Sequence, residues 1–295
     1  MTRLPYVHRR SWSKTDSRNQ EKASFIVLNR ICIALLHCTL VYVSLGCHSL
    51  QAELITLFDG NGLPANQPWL SYASSGGSAT QTEQTSGVRL VTDLAASAGY
   101  SNYTPLAALK NGTFPSLNRT NGFELNFNVA VSSENHSSND RAGFSVSLIG
   151  SDVRGIELGF WGNQIWAQES SPLFTHGETI NFDTSVQRDY RLRVQDNSYA
   201  LFSGGNQLLA GSIRNYTAFG APPYILPNFV FLGDNTTSAG ADITLGAITL
   251  QSNLAAVPEP SSLFFLLATS TLVVWRKVLG RRRFSCQADG CVRKD

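Results

Sequence analysis

From Phe123 onward, apolar residues recur at every second position. Phe123, Leu125, Phe127, Val129 and Val131 alternate with Glu124, Asn126, Asn128 and Ala130, and Phe144, Val146 and Leu148 alternate with serines. The period continues through Ile156, Leu158 and Phe160, through Tyr190, Leu192 and Val194, through Tyr199 and Leu201, and through Phe229 and Phe231; Ala241 to Leu250 reads as a last strand. Successive side chains of a strand point to opposite faces, so each run predicts a strand with one buried face. No stretch of helical length carries an apolar stripe at a period of 3.6. Upstream, Leu54 to Phe58, Trp69 to Tyr72 and Val88 to Val91 are predicted strands, and the Gly/Ser/Thr-rich stretch from Ser74 to Ser86 is either a loop or an exposed strand. Asp196-Asn197, Gly204-Gly205 and Gly162-Asn163 have the chemistry of two-residue hairpin turns. Many short strands joined this way predict an all-β, antiparallel sandwich or barrel.

The turn at Gly162-Asn163 fixes a register. It sets Trp161 opposite Gln164, Phe160 opposite Ile165, Gly159 opposite Trp166, Leu158 opposite Ala167 and Glu157 opposite Gln168. One face of the hairpin is then apolar, with Ile156, Leu158, Phe160, Ile165 and Ala167. The other carries Glu157, Trp161, Gln164, Trp166 and Gln168. Indoles match the C–H faces of sugar rings, and carboxylates and amides match their hydroxyls, so this second face is a candidate saccharide platform. The competing reading is structural: Trp166 covers Gly159, an aromatic shielding of a strand glycine, and Trp161 packs under a loop.

Charge and cysteine divide the chain. Residues 1–52 carry seven basic against two acidic side chains and residues 257–295 seven against three, whereas the region between carries nine against sixteen, a net −7. That acidic region has no basic stripe, so nucleic acid is not an expected partner. All five cysteines, Cys32, Cys38, Cys47, Cys286 and Cys291, lie in the two ends. The central region therefore has no disulfide, thiolate metal site or thiol nucleophile, and its length suffices for one domain with a core of its own. In the basic N-terminal segment, Ile31 to Gly46 has the length of a secretory apolar region; an export signal over residues 1–52 is the simplest expectation. A lipoprotein signal ending at Cys47 and a retained N-terminal anchor are the alternatives.

At the other end, Val257-Pro258-Glu259-Pro260 leads into an apolar run from Leu263 to Trp275, extendable to Leu279, and then the cations Arg276, Lys277, Arg281, Arg282 and Arg283. This is a short span against the roughly 20 residues of a full crossing, and its basic end is expected to stay cytoplasmic. The order resembles the PEP-CTERM sorting signal of bacterial surface proteins. That resemblance implies handling by an exosortase, with loss or replacement of the apolar tail; Phe284 to Asp295 extends beyond the family's usual stop. The expected organisation is a signal segment (1–52), a β-sandwich (53–251), a linker (252–262), an anchor (263–279) and a basic tail (280–295), with the sandwich outside the cytoplasmic membrane as part of the cell envelope.

Tyr190-Arg-Leu-Arg-Val, the stretch from Tyr199 to Gly211, Phe231-Leu-Gly-Asp234 and Ile243 to Leu250 resemble the concanavalin A-like lectin/glucanase sandwich. The resemblance implies a jelly roll and a binding role toward extracellular polysaccharide. Two alternatives stand beside it: a matrix or adhesion protein without a sugar site, and a degenerate glycoside hydrolase. Hydrolysis needs two carboxylates flanking the bond; around Glu157 only one is present, and no Gly-x-Ser-x-Gly elbow occurs, so the expectation is not an enzyme. His176 is expected to be a loop hydrogen-bonder. No cofactor is expected. The alternative is calcium, bound through Asn139 and Asp140 with Asp152 or Asp234, although the spacing matches no calcium loop.

Overall fold

The structure, a computed structural model, describes residues 53–254. The proposed signal, the Pro-Glu-Pro motif, the apolar anchor and the basic tail lie outside the described residues. Among the described residues no helix is long and apolar enough to cross a membrane.

Fifteen strands follow one another along these residues: β1 (Glu53–Phe58), β2 (Ser71–Gly76), β3 (Ala79–Gln84), β4 (Gly87–Thr92), β5 (Ala96–Ser101), β6 (Phe123–His136), β7 (Phe144–Ile149), β8 (Gly155–Phe160), β9 (Gln164–Ser170), β10 (Leu173–Asn181), β11 (Arg188–Gln195), β12 (Ser198–Ser203), β13 (Asn206–Ser212), β14 (Phe229–Asp234) and β15 (Ala239–Ser252). They form two antiparallel sheets. The first runs β13-β12-β11-β6-β15-β4-β3, with β1 also on β15; the second runs β10-β9-β8-β7-β14-β5-β2. β15 is long enough to serve two partners on one side. Its first half pairs with β4 from Asp242 to Leu245, its second half with β1 from Ile248 to Ser252, and a bulge at Gly246-Ala247 separates them. This is an all-β jelly-roll sandwich, with strand β15 running through Ser252, one residue past the expected end of the sandwich.

The alternating runs meet between the sheets. Phe127, Leu192, Leu201, Ile243 and Leu250 of the first sheet face Val146, Leu158, Phe160, Ile165 and Leu232 of the second, all buried in one core. The three predicted turns close β8–β9, β11–β12 and β12–β13. One expected face is reversed. In β14, Val230 and Leu232 enter the core, while Phe229 and Phe231 project to the outer side of the second sheet, where Phe229 belongs to a separate apolar cluster. Four apolar residues in a row left period two with no phase to read. β5 and β10 also escaped the sequence reading: Ala96–Ser101 is dominated by small residues, and β10 is interrupted by two register shifts. Ser74 to Ser86 contains the end of β2 and the exposed strand β3.

Candidate functional site

The β8–β9 hairpin has the expected register, with Leu158 opposite Ala167, Gly159 opposite Trp166 and Phe160 opposite Ile165; the Trp161 amide donates to the Gln164 carbonyl at 2.8 Å. Its outward face is not the open platform that the alternation suggested. Glu157 and Trp166 are 0% exposed and Gln168 is 1% exposed, while Trp161 and Gln164 are half-buried. The reason is a second layer. Leu173 and Phe174 at the start of β10, together with the segment from Tyr216 to Tyr224, fold over the sheet and build a small second core of Ile149, Phe174, Tyr216, Tyr224 and Phe229. β7 and β8 are consequently buried on both faces, and their outward positions are Ser145, Ser147, Glu157 and Gly159.

Trp166 fulfils the structural reading. A Cβ on Gly159 would lie 2.5 Å from its ring, so the indole occupies the space that the glycine leaves. Trp161 stacks on His136, with centroids 4.1 Å apart and planes 3° from parallel, and its indole N–H donates to the Arg141 carbonyl at 2.9 Å. His136 also meets Glu134 at 2.9 Å. His176 lies in β10 and packs on Trp166 at 4.2 Å, so it is a packing residue and not a loop hydrogen-bonder. Burial pushes its pKa down. Its Nε2 and Trp166 Nε1 have no hydrogen-bond partner among the described residues.

Glu157 is the hub of a buried polar network. Tyr224 donates its hydroxyl to Oε2, Asn235 donates Nδ2–H to Oε1 at 2.9 Å, Ser147 donates its hydroxyl to Oε2 at 3.3 Å, and the Tyr216 hydroxyl accepts the Glu157 amide at 3.2 Å. Loss of water raises the Glu157 carboxyl above its usual range, and the three donors oppose that shift only in part. No second carboxylate is hydrogen-bonded into this network among the described residues.

Three of the four candidate calcium ligands are otherwise engaged. Asp140 accepts the His176 amide at 3.2 Å, Asp152 is paired with Arg119 at 2.6 Å, and Asp234 accepts the Thr92 hydroxyl at 2.7 Å. Burial pushes the Asp234 carboxyl up to about 8. No group of three or more His, Cys, Asp or Glu among the described residues could hold a metal ion.

Beyond the covered half, the outer face of the second sheet stays open as a cleft of about 440 Å³, within the ordinary range of small-molecule sites. Its floor is made of small outward residues of β5, Ser97, Gly99 and Ser101. Phe231 lies over Gly99, where an added Cβ would meet its ring at 2.6 Å. One wall is the loop from Tyr103 to Ala107. The other contains Phe219, Pro222, Pro223 and Tyr224, and Asn235 and Arg141 line the cleft with them. The walls are tied together at their base. The Asn102 side chain donates to the Asn228 carbonyl at 2.8 Å and accepts the Val230 amide at 2.9 Å, and the Tyr103 hydroxyl donates to the Pro227 carbonyl at 2.7 Å. The chain's one central lysine, Lys110, anchors the first loop by donating to the carbonyls of Ala65, Gln67 and Leu70 at 2.6–2.7 Å. Such bracing fixes both walls in advance of any ligand.

The sequence reading missed this cleft, because its parts come from aperiodic loops and from glycine and serine positions. The one signal was the aromatic and proline density from Tyr216 to Phe231, too great for a solvated connection.

Fold and cleft together define an all-β jelly-roll sandwich with an aromatic-walled groove on one sheet. No protein-family model matches the chain, and no curated protein matches it. Among solved structures, a protein of unknown function from Shewanella oneidensis is similar at 15% identity and a TM-score of 0.41, over 74% of this chain and 95% of that one. The fourth domain of an extracellular arabinanase from Geobacillus stearothermophilus, in complex with arabinotriose, is similar at 15% identity and a TM-score of 0.37, over 63% and 84%. A carbohydrate-binding module from Bacillus subtilis is similar at 10% identity and a TM-score of 0.34, over 61% and 95%. The architecture itself rests on the strand order and pairing of this chain.

Proposed function

We propose that the sandwich is a non-enzymatic polysaccharide-binding domain, and that the cleft on its second sheet, in place of the Trp161/Trp166 hairpin face, is where the glycan lies. The observation that supports this most is the composition of the cleft. Serines of β5 give a small polar floor, Phe219 and the Phe231 ring that covers Gly99 offer aromatic surface to C–H faces, and Asn235, whose N–H groups serve Glu157 and Tyr224, offers its carbonyl to hydroxyls. Glu157 supports binding over hydrolysis: its carboxyl is wholly buried and already accepts three donors, without a second acid in its network. Purified protein is expected to bind extracellular polysaccharide on a glycan array. Phe219, 47% exposed on the wall, is the informative position. Phe219→Ala is expected to weaken binding at least about tenfold, the equivalent of one good aromatic contact. Unchanged affinity in both Phe219→Ala and Phe231→Ala excludes the cleft.

The reading extends to the cell. The chain is proposed to be an exported envelope protein, sorted through Pro258-Glu259-Pro260, the apolar segment 263–279 and its arginines, with an exosortase-type enzyme as processing partner; the charge asymmetry and the order of these segments support it. Deleting residues 257–295 is expected to move the protein from the cell-associated fraction into the medium. Retention at the wild-type level contradicts the sorting assignment.

A further inference from the structure

Building on the cleft reading, we infer that the bound glycan is acidic, carrying carboxylates that pair with Arg141. Arg141 is the single charged side chain lining the cleft. Five of the other eight cations of the domain are already engaged, and Arg154, Arg188 and Arg193, which have no ion pair among the described residues, do not line the cleft. Arg89, Arg119, Arg191 and Arg214 are each within ion-pair distance of a carboxylate, and Lys110 is spent on three carbonyls. The Arg141 guanidinium has no ion pair and no side-chain hydrogen bond among the described residues. What holds it is the Phe174 ring, 4.3 Å from its carbon to the centroid. Stacking uses only the flat face of a guanidinium. The five N–H donors lie in its plane and remain free, and they form the fork that matches a carboxylate in a bidentate pair.

A neighbouring counter-charge does not cancel it. Glu157 lies close enough to be influenced by Arg141, but its oxygens already accept from Tyr224, Asn235 and Ser147, and its burial favours the neutral form. A half-buried cation without a carboxylate partner, beside an aromatic wall, is the arrangement that recognises an anionic sugar. The net −7 of residues 53–256 does not oppose this at physiological ionic strength, where charges beyond about 8 Å are screened and a contact pair is not. The carboxylate is favoured over a sulfate ester because planar, two-point pairing is what the fork rewards.

The test uses the full chain in detergent with length-matched oligosaccharides of three kinds: neutral glucan, polyuronate and sulfated glucan, each measured by calorimetry. The wild-type protein is expected to prefer the uronate at least about tenfold over the neutral chain. Arg141→Gln is expected to bring that ratio to within about twofold of one, and Arg141→Lys, which keeps the charge and loses the fork, to fall between them. Equal affinity for neutral and uronate chains, a preference confined to the sulfated chain, or a preference that survives Arg141→Gln overturns the inference. The two levels separate cleanly. Glycan binding that Phe219→Ala abolishes, but without charge preference, leaves the cleft standing and removes only the acidic ligand. Binding that is absent, or indifferent to Phe219→Ala, removes both. Arg141 makes its backbone bonds through its own N–H and carbonyl, so the glutamine variant should unfold within a few degrees of wild type, and circular dichroism verifies this.

Discussion

Trp166→Ala is expected to destabilise the domain by about 3–5 kcal/mol, the usual range for emptying a large aromatic from a packed site. The indole is fully buried and meets Trp161 at 4.7 Å and His176 at 4.2 Å, and it fills the space over Gly159. Its removal opens a cavity that the rigid floor of β8 cannot close. Chemical denaturation gives the number directly. The experiment also decides between the two roles of the hairpin: a loss below about 1 kcal/mol accompanied by lost glycan binding would restore Trp166 as part of a ligand platform. Reduced binding in an unfolded variant would carry no such meaning.

The second large effect is at Glu157. Glu157→Ala leaves the Tyr224 hydroxyl, the Asn235 amide and the Ser147 hydroxyl without their common acceptor inside a dry region, and buried donors stranded in this way cost about 1–3 kcal/mol each before relaxation. A net loss of about 3 kcal/mol is expected. Glu157→Gln keeps the shape and one carbonyl acceptor and resembles the protonated acid, so its loss should stay below about 1 kcal/mol. The two variants should also differ from wild type in pH dependence. Burial raises the folded-state carboxyl above the unfolded value of 4.5, so the folded state holds this proton more tightly. The stabilisation is then fully present below 4.5 and is lost as pH rises through the folded value. Asp234 acts in the same direction between 3.8 and about 8. Unfolding free energy measured across pH 4 to 8 should therefore fall less steeply in Glu157→Gln than in wild type. Equal slopes would mean that Glu157 ionises in the fold as it does in water.

Much of this architecture was legible in the chain. Period two placed Leu125, Phe127, Leu192 and Leu201 in the core, and a two-residue turn at Gly162-Asn163 was enough to set Gly159 against Trp166. The failure at Glu157 has a physical origin. Alternation reports which residues share a face, and it does not say what covers the other face. Ser145, Ser147, Glu157 and Gly159 have the polarity of a solvent side, yet they are polar and small because a second layer sits on them and needs room and hydrogen-bond partners. That layer is the start of β10, at Leu173 and Phe174, where the pairing is interrupted, and the connection from Tyr216 to Tyr224; their fold follows from tertiary contacts and leaves no period in the sequence. The candidate site moved with it, by a few strands across the same sheet, from the β8–β9 hairpin to β5 and β14.

The most direct measurement is amide hydrogen exchange of the full chain with and without saturating polysaccharide. The cleft predicts added protection in the loop and strand residues 97–107 and 217–235, with the first sheet unchanged. Protection centred on β11 and β12, or on the outer face of the first sheet, with none at 97–107, would contradict it.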